Sequence, residues 1–281
     1  MISLYKNRFR ITTYNNGLGF NLIHSFVSAV SNGVTYYYAM QYMATCNMLV
    51  YSEAWVFQRI VFNCGDYNAG KVGYGACFPL TINGFIFVTS DNLINKYDSS
   101  LNLQKQVTQY GGSGKYSAFR GIVLNSVDQQ IYVADFNNWK INIYDQSLNY
   151  ISQFSSNSPF FMAENNGKIY RYEIRFNILF NLFYFLIKSC DYSGSNIDVY
   201  QNQALIQKIT TQCTSRPTSI LFDNHGFMFV LCESPAFIYL YDTNGIYTGL
   251  SLATCSKAFY MQFDSKDRLV VTCFLSIDIY Y

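Results

Sequence analysis

Apolar runs a few residues long alternate with turn-forming residues along nearly the whole chain, and one stretch shows the unit clearly. In QQIYVADFNNWKINIYD, residues 129 to 145, the run Ile131-Tyr132-Val133-Ala134 ends on Asp135. An Asn-rich turn follows, and the run Ile141-Asn142-Ile143-Tyr144 then ends on Asp145. Runs of the first kind recur around Leu49 (NMLVYSE), Ile86 (FIFVTSD), Ile169 (GKIYR), Met228 (FMFVLCE) and Leu269 (RLVVTC). The six anchors stand 37, 45, 38, 59 and 41 residues apart, a spacing near 40 broken by one long interval. Most anchors follow a short strand-like run and lead to another that ends in Asp, Asn or Gly, so the repeat reads as four short strands joined by tight turns.

The long interval contains RYEIRFNILFNLFYFLIK, residues 171 to 188. Removing it restores the common spacing and also sets Asp191 four residues past Ile169, where Asp135 stands relative to Ile131. The segment reads as an inserted hairpin or loop, or as a retained intron. It is the most apolar part of the chain, but Ile174 to Ile187 is too short for a bilayer span and carries Arg175, Asn177 and Asn181. No membrane span is predicted.

A four-stranded sheet with two apolar faces cannot bury both alone, so the copies must stack face to face. Stacked radially, six of them make a six-bladed β-propeller of four-stranded antiparallel blades, an all-β fold occupying residues 1–281 as a single domain. Heavy use of Tyr (26) and Phe (24) against only 4 Pro agrees with a pleated, half-buried surface. The C-terminal SIDIYY looks like the third strand of the last blade. An N-terminal strand is therefore expected to complete that blade and close the ring, with Leu18 to Phe26 in that place and Arg10 to Tyr14 as a surplus strand.

The stretch from Phe119 to Phe154, FRGIVLNSVDQQIYVADFNNWKINIYDQSLNYISQF, resembles the NHL-repeat propellers, with a Gly-Ile strand, a YVAD strand, an Asn-rich turn and an I-x-I-Y-D strand. The copies starting at Pro79 and Pro217 are similar. Trp139 and Lys140 replace the Arg that the family pattern favours, and the family's own His-Leu pair is missing. Some relatives of that family are amidating lyases with a zinc held by three histidines, a set that His24 and His225 cannot supply. Others resemble lactonases with a central calcium held by Glu, Asn and Asp, for which the resemblance implies the repeat acids together with Asn92 or Asn137.

Those acids are Glu53, Asp91, Asp135, Asp191 and Glu233, each just past an anchor run, with Phe274 breaking the series. Either each accepts backbone N–H groups and locks its blade, or together they make an electronegative ring for a cation such as calcium. Cysteines repeat as well: Cys213 and Cys255 precede first strands, while Cys232 and Cys273 end second strands. In an antiparallel unit these positions share an edge, so Cys213–Cys232 and Cys255–Cys273 can be disulfides, which would place folding in an oxidising compartment. The alternative is four reduced, buried thiols. No secretory leader is visible in the first twenty residues, and no glycosylation acceptor occurs, since Asn157-Ser158-Pro159 does not qualify.

Net charge is +2 and the basic residues are scattered apart from Lys6, Arg8 and Arg10, so nucleic acid is not an expected partner. No phosphate loop, dinucleotide fingerprint or catalytic carboxylate pair is present. The sequence points to a non-enzymatic binding scaffold for a protein or small ligand, engaged through loops on one face of the ring. Trp55, Phe136, Trp139 and Tyr192 are the expected aromatic anchors, with Asp135 and Asn137 beside them. The competing expectation is a calcium-dependent hydrolase of the lactonase type, with calcium as its cofactor.

Overall fold

The computed structural model describes residues 8–12, 22–31, 33–42, 46–65, 78–90, 93–108, 118–157, 159–173, 196–215, 217–233, 235–273 and 276–281. These residues form strands and turns, with no helix among them. Strand β1 (Arg8–Thr12) comes first, followed by blade 1: β2 (Leu22–Ser31), β3 (Val34–Tyr42), β4 (Cys46–Ser52) and β5 (Phe57–Gly65). Blade 2 is β6 (Phe78–Ile82), β7 (Phe85–Ser90), β8 (Leu93–Tyr97) and β9 (Leu103–Thr108). Blade 3 is β10 (Phe119–Leu124), β11 (Ile131–Asp135), β12 (Lys140–Tyr144) and β13 (Tyr150–Ser155). Blade 4 is β14 (Pro159–Asn165), β15 (Lys168–Glu173), β16 (Asn196–Gln201) and β17 (Ala204–Thr210). Blade 5 is β18 (Pro217–Phe222), β19 (Met228–Cys232), β20 (Phe237–Tyr241) and β21 (Tyr247–Ala253). Blade 6 joins β22 (Ala258–Phe263), β23 (Leu269–Cys273) and β24 (Ser276–Tyr280) to β1, in the order β1-β24-β23-β22.

Blades 1 to 5 are antiparallel meanders, and blade 6 is the antiparallel meander β22-β23-β24 with β1 added antiparallel at its outer edge. The first strands touch in sequence around the axis, β2 with β6, β6 with β10, β10 with β14, β14 with β18, β18 with β22 and β22 with β2, so the ring is closed. Local chemistry sets the turns. Asn83-Gly84 and Asn166-Gly167 take positive φ at both positions, which gives the two-residue hairpin whose twist matches the strands it joins. Second and third strands are buried, while fourth strands lie mostly exposed at the rim. Apolar clusters fill the seams between blades, such as Val123, Ala134, Ile141 and Ile143 of blade 3 against Met162 and Ile169 of blade 4.

The expected fold is the observed one, but two strand assignments in the first blade change. The Leu49 run is the third strand of blade 1, and the second is Val34–Tyr42, whose YYYAMQY lacks the turn acid that follows most of the anchor runs. That slip displaces the closing strand too. The segment Leu18 to Phe26, expected to complete the last blade, runs instead into β2 (Leu22–Ser31), the innermost strand of blade 1, while Arg10 to Tyr14, expected to be surplus, contributes residues 10–12 to β1, which closes the ring. At the long interval, Arg171, Tyr172 and Glu173 complete β15, pairing with Met162, Phe161 and Pro159, so the strand continues into the segment that the spacing would remove. Residues 174–188 lie outside the described residues.

Candidate functional site

One face of the ring gathers the ends of the second strands and the connectors entering the first strands; it is called here the connector face. Its best-built loop is the turn from β11 to β12. Asp135 closes β11 with 2 % of its surface exposed. Its Oδ1 accepts the Ala118 N–H at 3.2 Å and the Asn138 N–H at 3.4 Å, and its Oδ2 accepts Asn138 Nδ2 at 2.9 Å. The Phe136 N–H returns a bond to the Ala118 carbonyl at 3.0 Å. One carboxylate thus ties the turn to the connector, as expected of a side chain that competes for backbone donors. Burial, and after it the Asp135 carboxylate, raises the pKa of the Tyr144 phenol above its ordinary value, so its proton is held more tightly.

The turn presents two aromatic rings differently. Phe136 is half-buried and meets Phe160 edge-on at 5.9 Å. Trp139 is 59 % exposed and holds φ at 54°, a region that a bulky side chain rarely occupies and that costs roughly 1–3 kcal/mol. Its carbonyl accepts the Ser156 N–H at 2.9 Å, fixing the turn to the next connector, and Asn137 is exposed beside it. Toward the axis Phe160 meets Phe78 at 5.9 Å, Phe78 meets Phe161 at 4.8 Å, and Phe161 stacks on Tyr260 at 6.2 Å. Phe78, Phe161 and Tyr260 belong to blades 2, 4 and 6, which are not neighbours, so these contacts cross the axis and fill it with aromatic rings.

The other nominated residues divide. Trp55 lies in the turn between β4 and β5, at the opposite end of the ring, where it is 6 % exposed, stacked on Tyr37 at 4.1 Å and edge-on to Phe26 at 5.6 Å. It is a seam residue between blades 1 and 6, not an anchor on the connector face, because Leu49 belongs to a third strand. Glu53 moves with it and pairs with Lys266 across the seam at 3.2 Å. Tyr192, Asp191, Asp91, Asn92 and Phe274 lie outside the described residues.

Strand register shows which residues hold the Asp135 position in the other blades. Asp135 pairs with Phe119, and the matching pairs are Pro159 with Glu173, Pro217 with Cys232, and Ala258 with Cys273. Glu173 therefore takes the position assigned to Asp191, and half-cystines take it in blades 5 and 6. Glu233 stands one residue beyond. Both disulfides are present, Cys213–Cys232 with Cα atoms 5.5 Å apart and Cys255–Cys273 at 6.1 Å. Each ties a connector to the end of a second strand, the same linkage that Asp135 makes non-covalently. Blade 4 has its own version: buried Arg171 donates to the Asn157 carbonyl in the connector, to Asp198 and, at 3.3 Å, to Tyr200. Spacing alone did not reveal Arg171, since its segment reads as an insertion.

Among the described residues, one trio comes within ligand distance, Cys255, Cys273 and Asp278, and its two sulfurs are spent on a disulfide. The described acids do not assemble a calcium set: Asp135 is engaged by backbone and amide donors, and Glu53 faces the other end. His225 lies in the β18–β19 turn, also at the opposite end.

No protein-family model matches this chain, and no curated protein matches its sequence. Solved structures do match its shape. A streptogramin B lyase superposes with a TM-score of 0.63 at 10 % identity over 99 % of both chains. A catalytically inactive virginiamycin B lyase from Staphylococcus aureus, solved with quinupristin, gives 0.63 at 10 % identity over 98 % of both. The WD40 propeller domain of Doa1 gives 0.60 at 10 % identity over 94 % of both. At such identity the likeness speaks for the fold alone, and this fold carries both lyases and WD40 domains.

Proposed function

We propose that this protein is a non-enzymatic propeller scaffold of the NHL type that binds a protein or small ligand on its connector face, centred on Phe136, Asn137 and Trp139. The observation that carries this reading is Trp139: a large aromatic side chain, more than half exposed, on a backbone held in a costly conformation by Asp135 on one side and Ser156 on the other. Strain kept in place by surrounding bonds is a reason to look for function there, and rigid aromatic anchors dominate binding energies. The repeat supports the same reading, since it supplies a stiff ring on which loops can vary.

The test is affinity capture from the native organism with the wild-type protein, Trp139→Ala, and Leu250→Ala on the exposed rim as control. Trp139→Ala is expected to lose the captured species, truncation of such an anchor costing about 2 kcal/mol or more, while Leu250→Ala keeps them. Equal capture by both variants sinks the proposal. The calcium-dependent hydrolase reading has a separate test: a calcium-dependent rise in melting temperature that Asp135→Asn abolishes.

A further inference from the structure

Blade 6 is the blade assembled from both ends of the described chain, and β1 is paired to it through β24 alone. The contacts that hold blade 6 against blade 1 come from other strands. Phe26, Tyr37, Leu49, Tyr51 and Trp55 pack on Val270, Ile277 and Ile279. The Tyr37 hydroxyl donates to Asp264 at 3.3 Å, and Glu53 pairs with Lys266. Fourth strands elsewhere in the ring lie mostly exposed, so a fourth strand supplies an edge and little core. Closure of the ring and occupation of the β24 edge are therefore separable.

The edge is also addressed. In blades 2 to 5 the middle residue of the third strand faces a polar partner in the fourth: Asn95 opposite Gln106, Asn142 opposite Gln153, Asp198 opposite Lys208, Tyr239 opposite Ser251. A tyrosine follows two residues later in each, at Tyr97, Tyr144, Tyr200 and Tyr241. In blade 6 the corresponding residues are Asp278 and Tyr280, and β1 sets Arg10 opposite Asp278. Asp278 is completely buried, and a carboxylate out of water favours a strand that brings a basic residue to its register position.

We infer that the outer edge of β24 is a strand-acceptor site whose occupant is the chain's own N-terminal segment, and that β1 leaves and re-enters this site while the ring stays closed. The recognition is backbone pairing along an open edge, with register fixed by one acid–base position. It makes the N-terminal segment a detachable latch and opens the edge to the same sequence supplied in trans.

Two measurements on the full chain test this. In native-state hydrogen exchange, amides of β1 are expected to exchange about 100-fold faster than those of β22 and β23, which open only with the ring. A protein carrying a protease site between residues 13 and 21, folded and then cut, is expected to keep its far-UV spectrum and hydrodynamic radius. It should release β1 and take up a fluorescent peptide of residues 6–14, but not a shuffled one, and Asp278→Asn should weaken uptake at least about tenfold. Equal exchange rates in β1 and β23, unfolding on cutting, or uptake indifferent to sequence each overturns the inference.

Discussion

Arg171 is the most committed single residue in the ring. Its guanidinium is fully buried and satisfies the Asn157 carbonyl, the Asp198 carboxylate and the Tyr200 hydroxyl together, with Lys208 standing 3.9 Å from Asp198 at the surface. Removing one partner of a buried pair leaves the other charged and desolvated, at a cost of about 3–5 kcal/mol. Arg171→Met is therefore expected to lower unfolding free energy by that order in urea titration, and Arg171→Met with Asp198→Asn to recover most of it. A single variant as costly as the double would show that packing, not charge, makes Arg171 important. Residue-scale features of this kind were only partly legible in the sequence. Asp135 announced itself by recurring with the repeat, and its role as a backbone lock follows from its position. Trp55 and Glu53 misled because their local spacing copies that of Phe136 and Asp135, and nothing within seven residues tells a second strand from a third.

At the level of elements, the latch between connector and second strand takes three chemical forms: a carboxylate in blade 3, a guanidinium in blade 4, and disulfides in blades 5 and 6. The disulfides were legible because the cysteine spacing repeats with the blade, so antiparallel geometry alone brings each pair to one edge. Closing loops of 19 and 18 residues, each is worth roughly 3 kcal/mol in the chain-entropy view. Reduction under native conditions, followed by calorimetry, is expected to lower the melting temperature in two steps that Cys213→Ser with Cys232→Ser, and Cys255→Ser with Cys273→Ser, reproduce separately. Unchanged melting would mean that the connectors are held by packing. Gly121 marks a different constraint, the approach of β10 to β14. A β-carbon there would stand 2.8 Å from both the Met162 nitrogen and the Phe160 carbonyl oxygen, backbone atoms with no freedom to yield. Gly121→Ala should cost about 1–3 kcal/mol in chemical denaturation; a neutral result would show that the two strands slide apart cheaply.

For the whole molecule, the period near 40 and the two-faced burial of each unit point to the ring, whereas the strand that closes it is not legible from spacing, because a shift of one strand in blade 1 moves every strand before it. What binds the ring is a set of aromatic seams, and their phenols tie its stability to alkaline pH. Burial raises Tyr37, Tyr38, Tyr144, Tyr170, Tyr241 and Tyr260 above the ordinary phenol value, and pushes Tyr51, at the seam between blades 1 and 6, up to about 12. A phenol whose proton is held more tightly in the folded state stabilises the fold fully below its unfolded value, near 10, and loses that contribution as pH rises toward the folded value. The hundredfold weaker acidity of Tyr51 alone corresponds to about 2–3 kcal/mol. Melting temperature is therefore expected to hold steady up to about pH 10 and to fall steeply above it, with tyrosinate absorbance appearing in the same transition as loss of the β-sheet signal. Tyr51→Phe, which keeps the ring packing and removes the ionisable group, should move that transition to higher pH. If tyrosinate instead forms near pH 10 with the sheet signal intact, the seams admit water and the account of what holds the blades together is wrong.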